Sequence, residues 1–326
     1  MGRKRSKNIY SRRRNRIRWG RILFILLVLV VMGIAACTNR AEYESGAARA
    51  QEGREEESRE TQEHTGETLT KAEKPVQKSK DNDIRQLLRN DPYRKELLQR
   101  YQKDERVYEI AKNRNAYPDK LIETLIQYPE TIDFVLGYPE RKEWKNKEIK
   151  ITEEVVRGEI PLFIQWDKRW GYIPYGNSIV GISGCGPVCL SMVIMGLTGD
   201  TKYDPAWLAS YSEINGFWVD GVGTSWELMG RGAEELGLNV ERLPLQWEMI
   251  RSRLNRGNPV ICSMKPGDFT YKGHFIVLTG ITKEGKVTLC DPNSQVNSRK
   301  KWDPQQVVAQ MKSAWSYQWS GRKKGY

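Results

Sequence analysis

The segment PVCLSMVIMGL, at residues 187–197, constrains the fold most strongly because it is apolar nearly all round. A helix with such a surface must be buried on every side, so the chain has to build a core around it. Pro187 suits the first turn of this helix, and Cys185 stands between two glycines in the turn before it. Nine of the eleven tryptophans follow residue 150, so we expect a globular domain over residues 151–326.

The remainder of this domain is predicted to contain a further helix and a set of strands. Thr224 and Glu227 form a T-x-x-E capping box, which predicts a helix that begins there and ends near Gly237. Three further runs predict strands: PVICSM (259–264), HFIVLTGI (274–281) and KVTLC (286–290). A buried helix followed by a mainly antiparallel sheet gives the α+β class.

The positive charge of the chain is concentrated at its N-terminus. Residues 1–41 carry eleven lysines and arginines and no acidic residue, so the formal charge of +12 leaves only +1 for residues 42–326. This distribution argues against a nucleic-acid-binding face, and we expect no nucleic acid partner. Basic residues 1–21 instead precede fifteen apolar residues at 22–36, an order that keeps the N-terminus in the cytoplasm and sends the rest outward.

The apolar segment 22–36 is compatible with two forms of membrane attachment. As a helix its fifteen residues rise about 22 Å, less than a hydrocarbon core of about 30 Å, although Trp19 and Arg21 could extend it to a marginal signal anchor. Alternatively, the residues that end at Cys37 resemble the lipobox of bacterial lipoproteins, in which this cysteine is lipidated and becomes the new N-terminus. Both forms predict a protein tethered to the cell membrane with its domain on the extracytoplasmic side.

Two segments separate this membrane attachment from the domain. Residues 37–83 are predicted to be a disordered tether, because after Tyr43 they contain no aromatic residue and almost no large aliphatic one. His64, one of the two histidines of the chain, lies in the tether and is expected to be idle. Residues 84–150 follow and have a different composition.

Residues 84–150 are predicted to form several short helices. Three motifs place a proline and an acid where a helix starts: Tyr117-Pro118-Asp119, Tyr128-Pro129-Glu130 and Tyr138-Pro139-Glu140. We expect a spacer or a small subdomain packed on the following domain. The alternative is an inhibitory prosegment that covers a cleft.

An extracytoplasmic location makes disulfides the first possibility for the cysteines. Cys185 and Cys189, on consecutive turns of one helix, would close a very small loop with poor bridging geometry, and strand 274–281 is expected to separate Cys262 from Cys290. A C-x-x-x-C spacing with one available histidine is a poor zinc site, so we predict no metal and no cofactor. Cys185, at a helix start, is therefore the candidate nucleophile, and Cys189 is predicted to be core.

His274 is the candidate base, because it is the single histidine of the domain. It heads a predicted strand, where its ring can face a cleft, and Asp291 ends the next strand. If residues 282–285 form a four-residue loop, Asp291 lies opposite Ile276, one diagonal step from His274 on the same face. A three-residue loop would reverse that face. Asn293 is the reserve partner for holding the imidazole tautomer.

Four ordered segments resemble a known family: FIQWDKRWGYIPYG, GCGPVCLSMV, GHFIVLTG and CDPN. They are similar to the stand-alone, exported branch of the double-glycine (bacteriocin-processing) cysteine peptidases, over roughly residues 160–305. The resemblance implies a papain-like fold. It also implies Cys185 as nucleophile, His274 as general base and Asp291 as its orienting residue, with Gln165 and the backbone N–H of Cys185 as oxyanion donors.

The chain departs from this family's transporter-linked members in two respects. In those members the glutamine precedes the cysteine by a few residues, whereas Gln165 lies twenty residues before Cys185. Those members also cut leader peptides on the cytoplasmic side, whereas the domain of this chain is expected on the extracytoplasmic side. We therefore expect a membrane-tethered thiol hydrolase of peptide or protein substrates, without extending cleavage after Gly-Gly to it. The alternatives are a cell-wall peptide amidase or endopeptidase with the same triad, and a non-catalytic peptide- or glycan-binding module that uses Trp166, Trp170 and Trp226.

Overall fold

The computed structural model of the protein describes residues 79–144, 147–319 and 321. The predicted membrane attachment at 1–36, Cys37, His64 and nearly all of the predicted tether lie outside the described residues. Residues 79–83, predicted as the end of the tether, are helical. Within the described part of the chain, no helix is both long and apolar enough to cross a membrane.

Residues 79–144, which we call the helical segment, form the series of short helices that the sequence predicts. The helix at residues 79–87 (α1) is followed by α2 (Arg94–Tyr101), α3 (Val107–Lys112), α4 (Asp119–Gln127) and α5 (Ile132–Leu136), with 3₁₀ turns at Arg114–Ala116, Pro129–Thr131 and Tyr138–Trp144. Apolar residues from all five helices form one core, in which Leu97, Ile110 and Leu121 are completely buried.

The three Tyr-Pro-acid motifs all open helical turns, as predicted. Pro118 directly precedes α4, whose first turn contains Asp119. Pro129 opens a 3₁₀ turn that runs into α5, and Pro139 lies in the first turn of the last 3₁₀ helix. Proline suits these positions for two reasons: its fixed φ is close to the helical value, and the N–H that it lacks would have no partner within the helix.

The predicted buried helix is α7 (Cys185–Thr198). Every residue from 186 to 196 is buried, which agrees with the apolar surface of the sequence. The helix ends at Gly199, whose φ of 74° is left-handed and whose N–H donates to the carbonyl of Met195. The short helix α6 (Val180–Ser183) leads into α7, and α8 (Pro205–Ile214) packs beside it.

A five-stranded antiparallel sheet packs against α7, with the strand order β5-β9-β6-β7-β8. Its strands are β5 (Leu238–Leu243), β6 (Val260–Met264), β7 (His274–Ile281), β8 (Val287–Cys290) and β9 (Met311–Trp319). The three predicted strands β6, β7 and β8 are confirmed to within one residue at each end. The sequence did not predict β5 and β9. The described helices and this sheet confirm the α+β class.

The shorter elements of residues 147–319, which we call the sheet domain, connect these parts. Two hairpins precede the sheet: β1 (Pro174–Tyr175) with β2 (Ser178–Ile179), and β3 (Trp218–Val219) with β4 (Gly223–Thr224). The remaining helices are α9 (Arg231–Glu235), α10 (Trp247–Leu254), α11 (Gln295–Arg299) and α12 (Pro304–Val308), with 3₁₀ turns at Thr152–Glu154, Thr201–Tyr203 and Trp226–Leu228.

The helix predicted from the Thr224 capping box is wrong in its first residues. Thr224 ends β4, and its hydroxyl hydrogen-bonds to that of Tyr175 at 2.8 Å. Ser225 is the cap instead, because its side chain accepts from the N–H of Glu227 at the start of a 3₁₀ turn. Two adjacent hydroxyl residues offer the same capping signal, and the burial of Thr224 selects the second. The following helix α9 ends before Gly237, as predicted.

The helical segment packs directly on the sheet domain. The ring of Phe134, 1% exposed, stacks on Tyr172 with centroids 4.5 Å apart, and the Tyr172 hydroxyl donates to the carbonyl of Phe134. Two glycines make room for this ring, because a Cβ at Gly171 or Gly181 would lie 2.7 or 2.4 Å from it. The two parts therefore share a core, which agrees with a packed subdomain.

Candidate active site

Cys185 is the first residue of α7 and faces a cleft of about 1040 Å³. Its side chain is half-buried, whereas the other cysteines that the structure describes are buried. The first amides of a helix have no partner within the helix, and the positive end of the helix dipole lies there. Cys185 thus occupies a position that favours negative charge and that a substrate can reach.

The other described cysteines lie in the core. Burial raises the pKa of Cys189 well above its ordinary value, and it raises the pKa of Cys290 to about 12. Strand β7 lies between the strands of Cys262 and Cys290, as predicted, and all four described cysteines are free. Among the residues that the structure describes, no three His, Cys, Asp or Glu side chains are grouped to hold a metal ion.

His274 is the first residue of β7, and Asp291 directly follows β8. Nε2 of His274 lies 2.7 Å from Oδ1 of Asp291. Only 4% and 0% of the two side chains are exposed, so the contact is shielded from solvent. The structure therefore brings together the two residues that the sequence placed on neighbouring strands.

The register at this contact is the predicted one, with Val277 opposite Cys290, but the register next to the loop differs from the prediction. Ile281 pairs with Val287, so the hairpin loop has five residues instead of four. A bulge at Thr279 then shifts the register back by one residue. Because a one-residue slip moves a side chain to the other face of a sheet, the bulge returns Asp291 to the face that holds His274.

The carboxylate of Asp291 is fixed by further donors. Oδ1 also accepts from the backbone N–H of Asn293 at 2.9 Å, and Oδ2 accepts from Nδ2 of Asn297 at 2.8 Å. Asn293, predicted as the reserve partner of the imidazole, thus supports Asp291 through its backbone. Asn297 was not predicted, because its contact depends on the turn between β8 and α11.

The electrostatics of the cleft favour the protonated form of His274. Burial is the largest single influence and lowers the pKa of His274, but the Asp291 carboxylate and the nearby Cys185 side chain outweigh it, and the pKa rises from 6.5 to about 10. Since Nε2 is bonded to Asp291, Nδ1 is the ring nitrogen left to face Cys185. An imidazolium in this place can neutralise a thiolate and can later give up its proton.

Gln165 lies in the wall of the cleft, but its side-chain amide already has partners. The residue is 2% exposed, and Nε2 donates to the carbonyls of Gly181 at 3.1 Å and Ile182 at 3.3 Å. Its Oε1 is buried with no hydrogen-bond partner in the described structure. The backbone N–H of Gln165 donates to the carbonyl of Pro292, which ties this wall to the loop after Asp291.

The helical segment supplies part of the cleft, a contact that the sequence suggested only in the alternative of an inhibitory prosegment. The lining residues that it contributes are Lys120, Glu123, Thr124, Gln127 and Tyr128. Burial raises the pKa of Tyr128 to about 12, and the nearby charges of Asp291 and Cys185 add to the rise. The one signal for this contribution in the sequence is the second Tyr-Pro-acid motif.

The opposite wall of the cleft is formed by the β3–β4 hairpin and the residues after it. Trp218, Val222 and Trp226 line the cleft there, and Val222 is 75% exposed. Of the three tryptophans predicted to bind a ligand, only Trp226 lines this cleft. Trp170 is completely buried, and Trp166 donates its indole N–H to the carbonyl of Asn293.

Comparison with known proteins identifies a family for this domain. The family model described as "Peptidase_C39 like family" matches residues 158–323, just over half of the 326-residue chain. No curated protein matches the chain. The match and the α+β architecture agree with the papain-like peptidase domain that the sequence predicts.

Proposed function

The chain belongs to the Peptidase_C39 like family, and on this premise we propose that it cleaves peptide bonds through Cys185, His274 and Asp291. Membership makes it a cysteine peptidase, whose substrate is a peptide or a protein. The observation that carries the proposed triad is the buried 2.7 Å contact between His274 and Asp291, in a cleft that also exposes Cys185.

In the proposed first step, the Cys185 thiolate attacks the carbonyl carbon of the scissile bond. As the C–S bond forms, the carbonyl oxygen takes up the negative charge. The backbone N–H of Cys185 and Nε2 of Gln165 are the proposed donors to this oxyanion. Nε2 would turn away from the carbonyl of Ile182, which at 3.3 Å is the longer of its two contacts.

His274 then donates a proton from Nδ1 to the leaving amine. The C–N bond breaks, the amine product departs and a thioester to Cys185 remains. Water then attacks the thioester and gives a proton to His274. The C–S bond breaks, the carboxyl product departs, and the Cys185 thiolate and the His274 imidazolium are restored. Throughout, Asp291 holds the Nε2–H of His274, and it stabilises the positive charge of the imidazolium before the first proton transfer and after the second.

Peptide hydrolysis by matched variants tests the proposal. Wild-type protein incubated with a peptide mixture should produce new peptide termini, detected by mass spectrometry. Cys185→Ala should produce no new peptide termini when it is tested at the same concentration of folded protein. Cys189→Ala is the control and should keep the activity, because that thiol is buried one turn deeper in α7. Equal cleavage by wild-type protein and Cys185→Ala would remove Cys185 from the reaction.

We further propose that the N-terminal segment tethers the peptidase to the cell membrane on its extracytoplasmic side, either as a signal anchor at residues 22–36 or through a lipidated Cys37. The charge step between residues 1–41 and the rest of the chain supports this topology. Protease added to intact cells should digest the domain. Mass analysis of the mature N-terminus distinguishes a diacylated Cys37 from an uncleaved signal anchor. Resistance of the domain in intact cells, with digestion after lysis, would place it in the cytoplasm.

A further inference from the structure

The second Tyr-Pro-acid motif places Glu130 beside the loop that follows Asp291. Oε1 of Glu130 accepts from the hydroxyl of Ser294 at 2.6 Å, and Oε2 accepts from the N–H of Gln295 at 3.0 Å. Ser294 is the N-cap of α11, and Gln295 is its first residue. Glu130 therefore satisfies a helix N–H that has no partner within α11, with a charge of the sign that a helix start favours.

From Glu130 a continuous series of hydrogen bonds reaches the imidazole. The Ser294 oxygen accepts from the N–H of Asn297 at 3.1 Å, and Nδ2 of Asn297 donates to Oδ2 of Asp291 at 2.8 Å. The other carboxylate oxygen of Asp291 accepts from Nε2 of His274 at 2.7 Å. Because the Ser294 hydroxyl gives its proton to Glu130, its lone pairs are directed toward Asn297.

The acids of the other two motifs make no such contact in the described structure. Asp119 forms an ion pair with Arg114, and its side chain is 62% exposed. Glu140 is exposed on the 3₁₀ helix Tyr138–Trp144. Tyr128, from the same motif as Glu130, also lies close to the loop, since Asp291 and the Asn293 side chain both influence the pKa of its hydroxyl. Both residues lie outside residues 158–323, which the family match covers.

We propose that Glu130 is a positioning residue of the active site, holding the loop after β8 and the first residues of α11 (residues 291–297) in the geometry in which Asp291 orients His274. The inference rests on the proposed function of Asp291 and His274. The helical segment is then a permanent part of the catalytic unit and not a removable prosegment. Its loss would release the start of α11 and, with it, the Asn297 amide that fixes Asp291.

Release of this loop should change the titration of His274. Asp291 and Cys185 are the groups that raise its pKa against the effect of burial, and Tyr128 lies close to both of them. If Asp291 is no longer held, its carboxylate raises the pKa of His274 less. The effect of burial then lowers this pKa, and the imidazolium loses its proton at a lower pH. A loss of stability alone would not move this titration in the folded protein.

The test compares Glu130→Ala and Glu130→Gln with Glu140→Ala, a matched control from the third motif, in the full-length chain. The pKa of His274 is measured by NMR of its ring, which is tractable because the chain has two histidines. Peptide hydrolysis is measured in parallel. We expect Glu130→Ala to lower the pKa of His274 by about one unit or more and kcat/KM by about tenfold, with KM little changed.

Glu130→Gln keeps one acceptor oxygen and should give intermediate values, and Glu140→Ala should behave as wild type. An unchanged His274 titration in Glu130→Ala would overturn the inference even if activity or stability fell, because only a structural role would remain. If Glu130→Ala does not fold, the titration of Glu130→Gln decides in the same way. A shifted titration, in a chain whose wild-type form cleaves no peptide, would support the positioning role and overturn the proposed function.

Discussion

The imidazole of His274 and the carboxylate of Asp291 lie 2.7 Å apart with almost no exposed surface, although 17 positions separate them in the chain. Burial lowers the pKa of His274, but Asp291 and Cys185 together raise it from 6.5 to about 10, so folding takes up a proton in this pH range. The stabilisation is fully present below pH 6.5 and is lost as the pH rises toward 10.

The first prediction concerns this linkage between pH and stability. The free energy of unfolding of wild-type protein should exceed that of His274→Gln by an amount that shrinks as the pH rises from 6.5 toward 10. The contributions of other titratable groups to the pH dependence are present in both proteins and largely cancel in this difference. Urea denaturation at a series of pH values measures it, and a difference independent of pH over this range would show that His274 gains no proton on folding.

Asp291→Asn should lower activity and move its pH dependence. The substitution removes the charge that opposes the effect of burial, so the pKa of His274 should fall and less imidazolium is present at neutral pH. We expect kcat/KM to fall by about tenfold or more, with its alkaline limb moved to lower pH. Asp133→Asn is the control, since that carboxylate is 73% exposed. Unchanged kinetics for Asp291→Asn would contradict its orienting role.

Gln165→Ala should affect both turnover and stability. Loss of an oxyanion donor lowers kcat by about 10²–10³ and leaves KM little changed. The same change leaves two carbonyls without their donor, which costs about 1–3 kcal/mol of stability. Alkylation of Cys185 builds no oxyanion, so its rate in the folded protein should not change. Near-normal turnover would show that the oxyanion donor is another group.

Phe134→Ala should destabilise the whole described unit. The side chain is 1% exposed and fills space against Tyr172, Gly171 and Gly181, so its removal costs about 3–5 kcal/mol. Leu87→Ala is the control, because Leu87 is 42% exposed and its loss should change stability by about 0.5 kcal/mol or less. Fluorescence and circular dichroism should report one coincident transition. Separate transitions for the two parts would contradict a shared core.

Local sequence predicts those elements whose environment is uniform along their length. Helix α7 is buried on all sides and was predicted from its apolar surface alone, as were the buried strands β6 and β7. Strand β5 was missed because its middle residues are largely exposed and carry little apolar signal. Strand β9 lies between β5 and β6, a pairing across distant parts of the chain that no local pattern reveals.

In the candidate site, too, local sequence predicts some features, and others depend on contacts between distant parts of the chain. Cys185, His274 and Asp291 were predicted because few residues of their chemical type stand at helix starts and strand ends. Their approach, however, depends on a five-residue loop and a bulge at Thr279 whose effects on the register cancel. The contact between Glu130 and Ser294 joins residues 164 positions apart, so it follows from tertiary packing and not from either local sequence.

The most direct test of Cys185 as the nucleophile that His274 activates is covalent labelling by a peptide that carries a thiol-reactive warhead at its cleavage position. After incubation of the full-length chain near neutral pH, the modified cysteine is mapped by mass spectrometry. This role predicts one adduct, at Cys185, that forms much more slowly in His274→Ala and is absent in Cys185→Ala. Labelling at Cys189, Cys262 or Cys290 in preference to Cys185, or an equal rate in His274→Ala, would contradict it.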